Sequence, residues 1–250
     1  MPEADERIER LEREMRRLRR WILVLAVALA STFVLGATQG TPDELTLRRL
    51  AIVDGNGKER IVARTLPNGT AILSQYDRDG KLRINSETST SGDASTVHYD
   101  NDGKRRIYVG TGPDGFAITE HYDSAGKKRI AARTLPSGEA SIRLSDSEGK
   151  LRISEATFSD GQANVQHYDS DGKTRIGTAT SPSGDASIQF YDSDGKKRIS
   201  TMTSSEGIAV IAHFDGNGKQ RIAAGTVASG GARVAHYDSD GEVVWVKESD

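Results

Sequence analysis

Histidine is the side chain most able to bind a metal or move a proton near neutral pH. All five histidines here, His98, His121, His167, His213 and His236, fall at one slot of a repeating 23-residue unit. Gln75, Leu144 and Phe190 fill the same slot in other copies. A residue that interchanges with leucine and phenylalanine is packing at a sheet border, and ligands a whole repeat apart converge on one ion only if strands of different copies meet. The Asp-x-Asp-Gly stretches Asp77-Arg78-Asp79-Gly80 and Asp192-Ser193-Asp194-Gly195 have the opening of a calcium loop. Lysine follows the glycine directly and the distal bidentate glutamate is missing, so these stretches read as turns. No structural metal and no cofactor is expected. With no cysteine, no serine-histidine-carboxylate constellation and no Gly-rich phosphate loop before a helix, no catalytic residue can be assigned. An active site needs one specialised place, and an array of similar units does not provide it.

The remaining chemistry is cationic and aromatic. Asp54, Asp77, Asp100, Asp123, Asp146, Asp169, Asp192, Asp215 and Asp238 are evenly spaced by one unit, and each defines position 1 of a repeat. Position 7 is always arginine: Arg60, Arg83, Arg106, Arg129, Arg152, Arg175, Arg198 and Arg221. Position 23 carries Tyr76, Tyr99, Tyr122, Tyr168, Tyr191 and Tyr237. An arginine over a tyrosine ring is a favourable cross-strand pair, so these two sets form a candidate binding face. Its expected ligand is an acidic envelope polysaccharide or a protein. Nucleic acid is not expected, because 34 basic residues are balanced by 36 acidic ones and leave no global field.

What must position these residues is an all-β repeat array. Glycine holds positions 4 and 16, isoleucine position 8, threonine position 12 and alanine position 18 from Ile61 to Ala232, with no insertion or deletion. Each unit reads as two strands and two turns, and a turn such as Leu135-Pro136-Ser137-Gly138 places glycine at the bulge of a three-residue hairpin loop. That loop predicts position 8 opposite 22, 10 opposite 20 and 12 opposite 18. In the repeat that starts at Asp169, one face then gathers Ile176, Thr178, Thr180, Ala186, Ile188 and Phe190, and the other presents Arg175 opposite Tyr191. Repeated, this makes an antiparallel hairpin meander of sixteen or more strands. The alternative is a β-solenoid, in which identical positions stack about 4.8 Å apart. Eight stacked arginines would then repel, which favours the meander. Only 35% of residues are hydrophobic, which leaves no helices to cover the apolar face. The sheet must curl on itself or meet other chains.

Tyr168-Asp169-Ser170-Asp171-Gly172-Lys173 and its copies resemble the tyrosine-aspartate (YD) repeats of Rhs-type and teneurin-like shells. That resemblance implies hairpin strips and a β meander over residues 46 to 245. Lysine stands at position 5 where the YD motif has arginine, and no toxin domain follows. The hairpin period is also similar to the MORN class, without that class's glycine-rich signature.

The amino-terminal residues have a different composition. Residues 1–20 form a charged helix in which Ile8, Leu11, Met15, Leu18, Ile22 and Leu25 alternate spacings of three and four, the seam of a parallel coiled coil. The alternative is a lone helix held by pairs such as Glu6 with Arg10. Trp21 to Ala37 is an uncharged, mostly apolar run that would rise about 25 Å as a helix. Arg16, Arg17, Arg19 and Arg20 precede it, so residues 21–39 read as an uncleaved signal anchor with a cytoplasmic amino terminus. A cleaved signal peptide ending near Ala28-Leu29-Ala30 is the rival. Residues 40–47 are a linker, and residues 48–250 carry the eight repeats and a terminal strand. The resulting expectation is a non-enzymatic, single-pass membrane protein. It would be a dimer or trimer and would display its repeats in the periplasm or outside the cell as a stalk, spacer or recognition surface. An accessory subunit of a larger membrane complex, or a fragment of a YD-type shell, are the alternatives.

Overall fold

The computed structural model describes residues 14, 15, 17–21 and 46–249. The chain divides into two units, Met1–Leu47 and Arg48–Asp250. In the first, Glu14, Met15 and residues 17–21 are helical. The apolar run beyond Trp21, the cleavage-site alternative and most of the coiled-coil seam and linker lie outside the described residues. Among the described residues no helix is long and apolar enough to cross a membrane.

The second unit contains eighteen strands. Strand β1 (Arg49–Val53) comes first, and each repeat then adds two. They are β2 (Glu59–Thr65), β3 (Ala71–Tyr76), β4 (Leu82–Thr88), β5 (Ala94–Tyr99), β6 (Arg105–Thr111), β7 (Ala117–Tyr122), β8 (Lys128–Thr134) and β9 (Ala140–Ser145). The series continues with β10 (Leu151–Thr157), β11 (Ala163–Tyr168), β12 (Thr174–Thr180), β13 (Ala186–Tyr191), β14 (Lys197–Thr203), β15 (Ala209–Phe214), β16 (Gln220–Thr226) and β17 (Ala232–Tyr237). The last strand is β18 (Val243–Ser249).

Every strand pairs antiparallel with its neighbours in sequence, so the sheet is a meander. The solenoid alternative is excluded, because Ile176 lies beside Phe190 and His167 and not beside another position-8 isoleucine. Strand contacts run only between consecutive strands, and none joins β18 to β1. The sheet is therefore one layer thick and open. Its buried apolar residues are only Val62, Tyr122, Ala212 and Ala235 among the described residues. Without a second layer, ladder hydrogen bonds, cross-strand pairs and turn chemistry hold the array together, each pair contributing about 0.2–1 kcal/mol.

The odd repeat length creates a parity problem. In a strand the side-chain period is two, so a shift by one whole repeat sends equivalent side chains to opposite faces unless one residue is absorbed. A bulge absorbs it in each repeat. Gln75 pairs with Ile84 while Tyr76 pairs with Leu82, leaving Arg83 as the extra residue. The same step recurs at His98/Tyr99, His121/Tyr122, His167/Tyr168, Phe190/Tyr191, His213/Phe214 and His236/Tyr237. Position 7 is thus a bulge residue, and positions 8, 10, 12, 18, 20 and 22 stay on one face through the array. We call this the even face, and the surface carrying positions 9, 11, 19, 21 and 23 the odd face.

Both turns share one geometry. Asp54 N donates to Lys58 O at 2.9 Å and Gly57 N to Asp54 O at 2.9 Å; Leu66 N donates to Thr70 O at 2.8 Å and Gly69 N to Leu66 O at 2.9 Å. Gly57 has φ +78 and Gly69 φ +87, the left-handed conformation that closes a three-residue loop. The predicted cross-strand positions follow, as in Ile176 with Phe190, Thr178 with Ile188 and Thr180 with Ala186.

Candidate functional site

Six of the eight position-7 arginines bond the end of their own repeat. Nε of Arg60 donates to the carbonyl of Tyr76 at 3.1 Å, of Arg106 to Tyr122 at 2.8 Å, of Arg129 to Ser145 at 2.8 Å, and of Arg152 to Tyr168 at 3.0 Å. Arg175 reaches Tyr191 and Arg198 reaches Phe214, both at 3.0 Å. Arg83 instead donates to the Asn101 side chain. Each arginine also lies near the position-1 aspartate of its repeat, from Arg198–Asp192 at 3.4 Å to Arg221–Asp215 at 3.8 Å. Nη1 of Arg221 is buried without a hydrogen-bond partner. The arginine therefore meets the tyrosine through its backbone carbonyl. Ring contacts come from position 6, where Arg105 stands 4.4 Å from the Tyr122 ring centroid and Lys197 4.5 Å from that of Phe214. The bulge explains this, because it puts position 6 on the side of position 23.

The aspartates close the same clamp. Asp54 Oδ1 accepts the backbone N–H of Asn56 at 2.9 Å and of Lys58 at 3.1 Å. The Lys58 N–H, then that of Asn56, then the Arg60 charge hold the Asp54 carboxyl below its ordinary value. Asp77, Asp100, Asp123, Asp169, Asp192 and Asp215 are lowered chiefly by the equivalent backbone N–H. One link escapes sequence reading. The position-5 lysine bonds the position-2 carbonyl of the next repeat, as in Lys81 to Asn101 at 2.7 Å, Lys150 to Ser170 at 2.9 Å and Lys196 to Gly216 at 2.6 Å. The lysine at position 5 was visible in the sequence; its reach of 20 residues was not.

The tyrosines Tyr76, Tyr99, Tyr168, Tyr191 and Tyr237 are half-buried on the odd face, and Tyr122 is buried. Tyr168 and Tyr191 donate to the side chains of Gln166 and Gln189, and Tyr122 donates to Glu120. Lys128 pairs with the same glutamate. Burial works to raise the Glu120 carboxyl, but the bonds from Lys128 and Tyr122 outweigh it and leave it below its ordinary value. Burial first, then the Glu120 bond, push the Tyr122 phenol up to about 12. The odd face thus carries polar clamps.

The even face is the open apolar one. All of the buried residues stand at odd-face positions, among them Val62, Ser74, Glu120, Ser141 and Ala212. The exposed large apolar residues of β2 to β17 stand at even-face positions, Ile142 at 44%, Ile188 at 43% and Ile211 at 46% among them, with Met202 as the exception. Three rows cross this face. Threonine and alanine alternate from Thr65–Ala71 to Thr226–Ala232. Mixed small and branched residues form the middle row, where Ser86 and Thr96 share a hydroxyl bond of 2.9 Å. In the third, position-8 isoleucines alternate with position 22, so His121 lies between Ile107 and Ile130 and His213 between Ile199 and Ile222. The histidines are row members flanked by isoleucine. No group of three or more metal-ligating side chains occurs among the described residues. An open groove of about 1010 Å³ runs along this face from Val109 on β6 to Thr203 on β14. Glu155, between Ile142 and Val165, is its charged even-face residue.

No family model and no curated protein matches the chain. Among solved structures it is similar to the SAS-4 (dCPAP) TCP domain of Drosophila melanogaster, solved with a proline-rich motif of Ana2 (dSTIL), at 12% identity over 73% of this chain and 94% of that one, with a TM-score of 0.34. It is also similar to a chain of the TcdB2-TccC3-Cdc42 crystal structure at 12% identity, covering 79% of this chain and 15% of that one, with a TM-score of 0.20. At these scores neither likeness carries an argument, and the repeat-type β architecture rests on the strand pairing itself.

Proposed function

We propose that this chain is a non-enzymatic, membrane-anchored structural or binding protein that presents its repeats as an open β surface. The observation that supports this reading is the exposure of the even face: a one-layer sheet leaves Leu73, Val109, Ile142, Ile188 and Ile211 uncovered in a row of repeats. Exposed apolar surface is stabilised by contact with other apolar surface, and an extended face suits an extended partner. The apolar face of another copy is chemically suited to cover this one, which makes a homo-oligomer the first partner to test. The Arg and Tyr set on the turn side remains the site proposed for an acidic polysaccharide or protein, with its arginines already holding aspartate.

The test uses the absence of native cysteine. Ile142→Cys and Gln189→Cys place single thiols on the even and odd faces of the full chain, and their labelling is followed in membranes and after dilution in detergent. The reading predicts that the thiol at 142 reacts at least fivefold more slowly in membranes than after dilution, while the one at 189 changes less. Equal labelling of the 142 thiol in both states overturns it.

A further inference from the structure

The odd face changes character over β11, β12 and β13. Its positions 9, 11, 19 and 21 carry charge in other repeats, as at Arg64, Glu87, Glu120, Arg143 and Arg233, whereas here they hold Asn164, Gln166, Gly177, Ala179, Ser187 and Gln189. Glycine stands at position 9 only in β12, and glutamine at position 21 only on the two strands beside it. The ladder sets Gly177 between Gln166 and Gln189, and Ala179 between Asn164 and Ser187. Small residues flanked by longer polar ones leave a hollow. It is an open pocket of about 460 Å³, floored by Gly177 and Ala179, with Thr174 and Tyr191 at its turn end. That volume lies in the range of about 300–1,000 Å³ typical of ligand clefts.

We propose that this hollow binds an uncharged sugar residue of a glycan. Tyrosine hydroxyls orient its amides: Tyr168 donates to Oε1 of Gln166 and Tyr191 to Oε1 of Gln189, which leaves both Nε2 groups as donors on either side of Gly177. Among the described residues nothing bonds those two nitrogens or the side chains of Asn164, Thr174 and Ser187. The rim therefore offers amide donors beside groups that both donate and accept. Sugar hydroxyls, each a donor and an acceptor at once, satisfy that mixture. A Cβ added at Gly177 would lie 3.9 Å from Cε2 of Tyr191, so the ring stands beside the floor, where it can pack on the apolar C–H face of a sugar ring.

Charge and pairing narrow the ligand class. No carboxylate lines the hollow, and its one charged residue, Lys173, has its Nζ held by the Ser193 carbonyl at 2.7 Å. Arg175, at the turn end, is likewise held by the Tyr191 carbonyl and lies beside Asp169. An acidic ligand would have to compete for cations already engaged, and a neutral one need not. An extended peptide recognised by strand addition needs a free ladder edge, and β12 is paired on both sides. The site lies on the odd face and is independent of what covers the even face.

The experiment probes arrays of neutral oligosaccharides, acidic oligosaccharides and short peptides with the full-length chain, in a detergent that has no sugar headgroup. Binding to neutral glycans is expected, and titration of the best of them should show at least tenfold weaker binding for Gly177→Val, which fills the floor. Valine already occupies position 9 as Val62, so the strand accepts it there. Ala223→Val, at position 9 of β16, should leave the affinity unchanged. Gln166→Ala combined with Gln189→Ala removes both donors without adding bulk and should weaken binding at least fivefold, with an unaltered circular dichroism spectrum. Binding of acidic glycans or peptides alone, neutral binding that survives either pocket variant, an equal loss in Ala223→Val, or no glycan binding overturns the proposal. Labelling of the thiol at 142 reads the even face and glycan binding the odd face, so failure of one reading is distinguishable from failure of the other.

Discussion

Arg175 donates its Nε–H to the backbone carbonyl of Tyr191 at 3.0 Å while its Nη1 lies 3.7 Å from Asp169 Oδ2. One side chain thereby joins the turn that opens the repeat to the strand end that closes it, 16 residues later. Bulge position and geometry coincide here: an arginine set between ladder partners leans toward the turn, where a carbonyl accepts its hydrogen bond and a carboxylate sits within ion-pair distance. The clamp ties six of the eight repeats to their own strand ends, and the array is a chain of similar units linked by nearest-neighbour contacts.

Removing this clamp should loosen one unit and spare the rest. Arg175→Met is expected to destabilise its own repeat by about 1 kcal/mol, the typical worth of one hydrogen bond. Hydrogen exchange should show faster opening of the amides around Asp169 and Tyr191, with β2 and β3 unchanged. A uniform loss of protection along the whole sheet would contradict the one-dimensional picture.

Acid should unfold the turns together. The position-1 carboxyls are lowered in the folded chain, so the stability they contribute is fully present above their ordinary value of 3.8 and is lost as pH falls through the lower folded values. Circular dichroism melts are expected to be flat from pH 7 to about pH 4 and to fall steeply below that. Asp169→Asn, which keeps the side-chain oxygen of the turn but not the charge, should reduce the acid dependence of its own repeat.

Two glycines should fail for different reasons. Gly172 sits at φ +80 with nothing within 4 Å of an added Cβ, so Gly172→Ala is expected to cost about 1 kcal/mol through backbone strain alone. Gly225 has an ordinary φ, but an added Cβ would lie 2.2 Å from the Ala209 carbonyl oxygen. Gly225→Ala must displace backbone and is expected to cost more, about 1–3 kcal/mol. Denaturant titrations followed by local exchange would rank the two.

The two faces should answer differently to truncation. Val62 on the odd face is 3% exposed, and Val62→Ala is expected to cost about 1–2 kcal/mol. Ile142 on the even face is 44% exposed, and Ile142→Thr should change the stability of a dilute, unassembled chain by less than about 0.5 kcal/mol. The order should reverse when assembly in membranes is measured, with Ile142→Thr the more damaging.

Strand positions, turn type and hairpin register were readable from the sequence because each depends on residues within one unit. The spacing of Leu135-Pro136-Ser137-Gly138 and the glycine that follows Asp-x-x define loops that admit one cross-strand pairing, and Thr178 opposite Ile188 is a direct consequence. The choice of meander over solenoid followed from the repulsion expected of stacked arginines. What the arginines do was not readable: position 7 was expected opposite the tyrosine ring, and the bulge moves it to the tyrosine's carbonyl.

The sequence by itself determined a two-strand unit of fixed length, its turns and its pairs, since local backbone preference and period-two patterning act over short stretches of chain. Only the tertiary structure decided how units join. The bulge that absorbs the odd period, the lysine that reaches the next turn, the open edges and the exposure of the apolar face all depend on geometry between neighbouring units. An apolar row in a sequence states what would gain from burial; whether anything lies over it is set by how the sheet curves and what meets it.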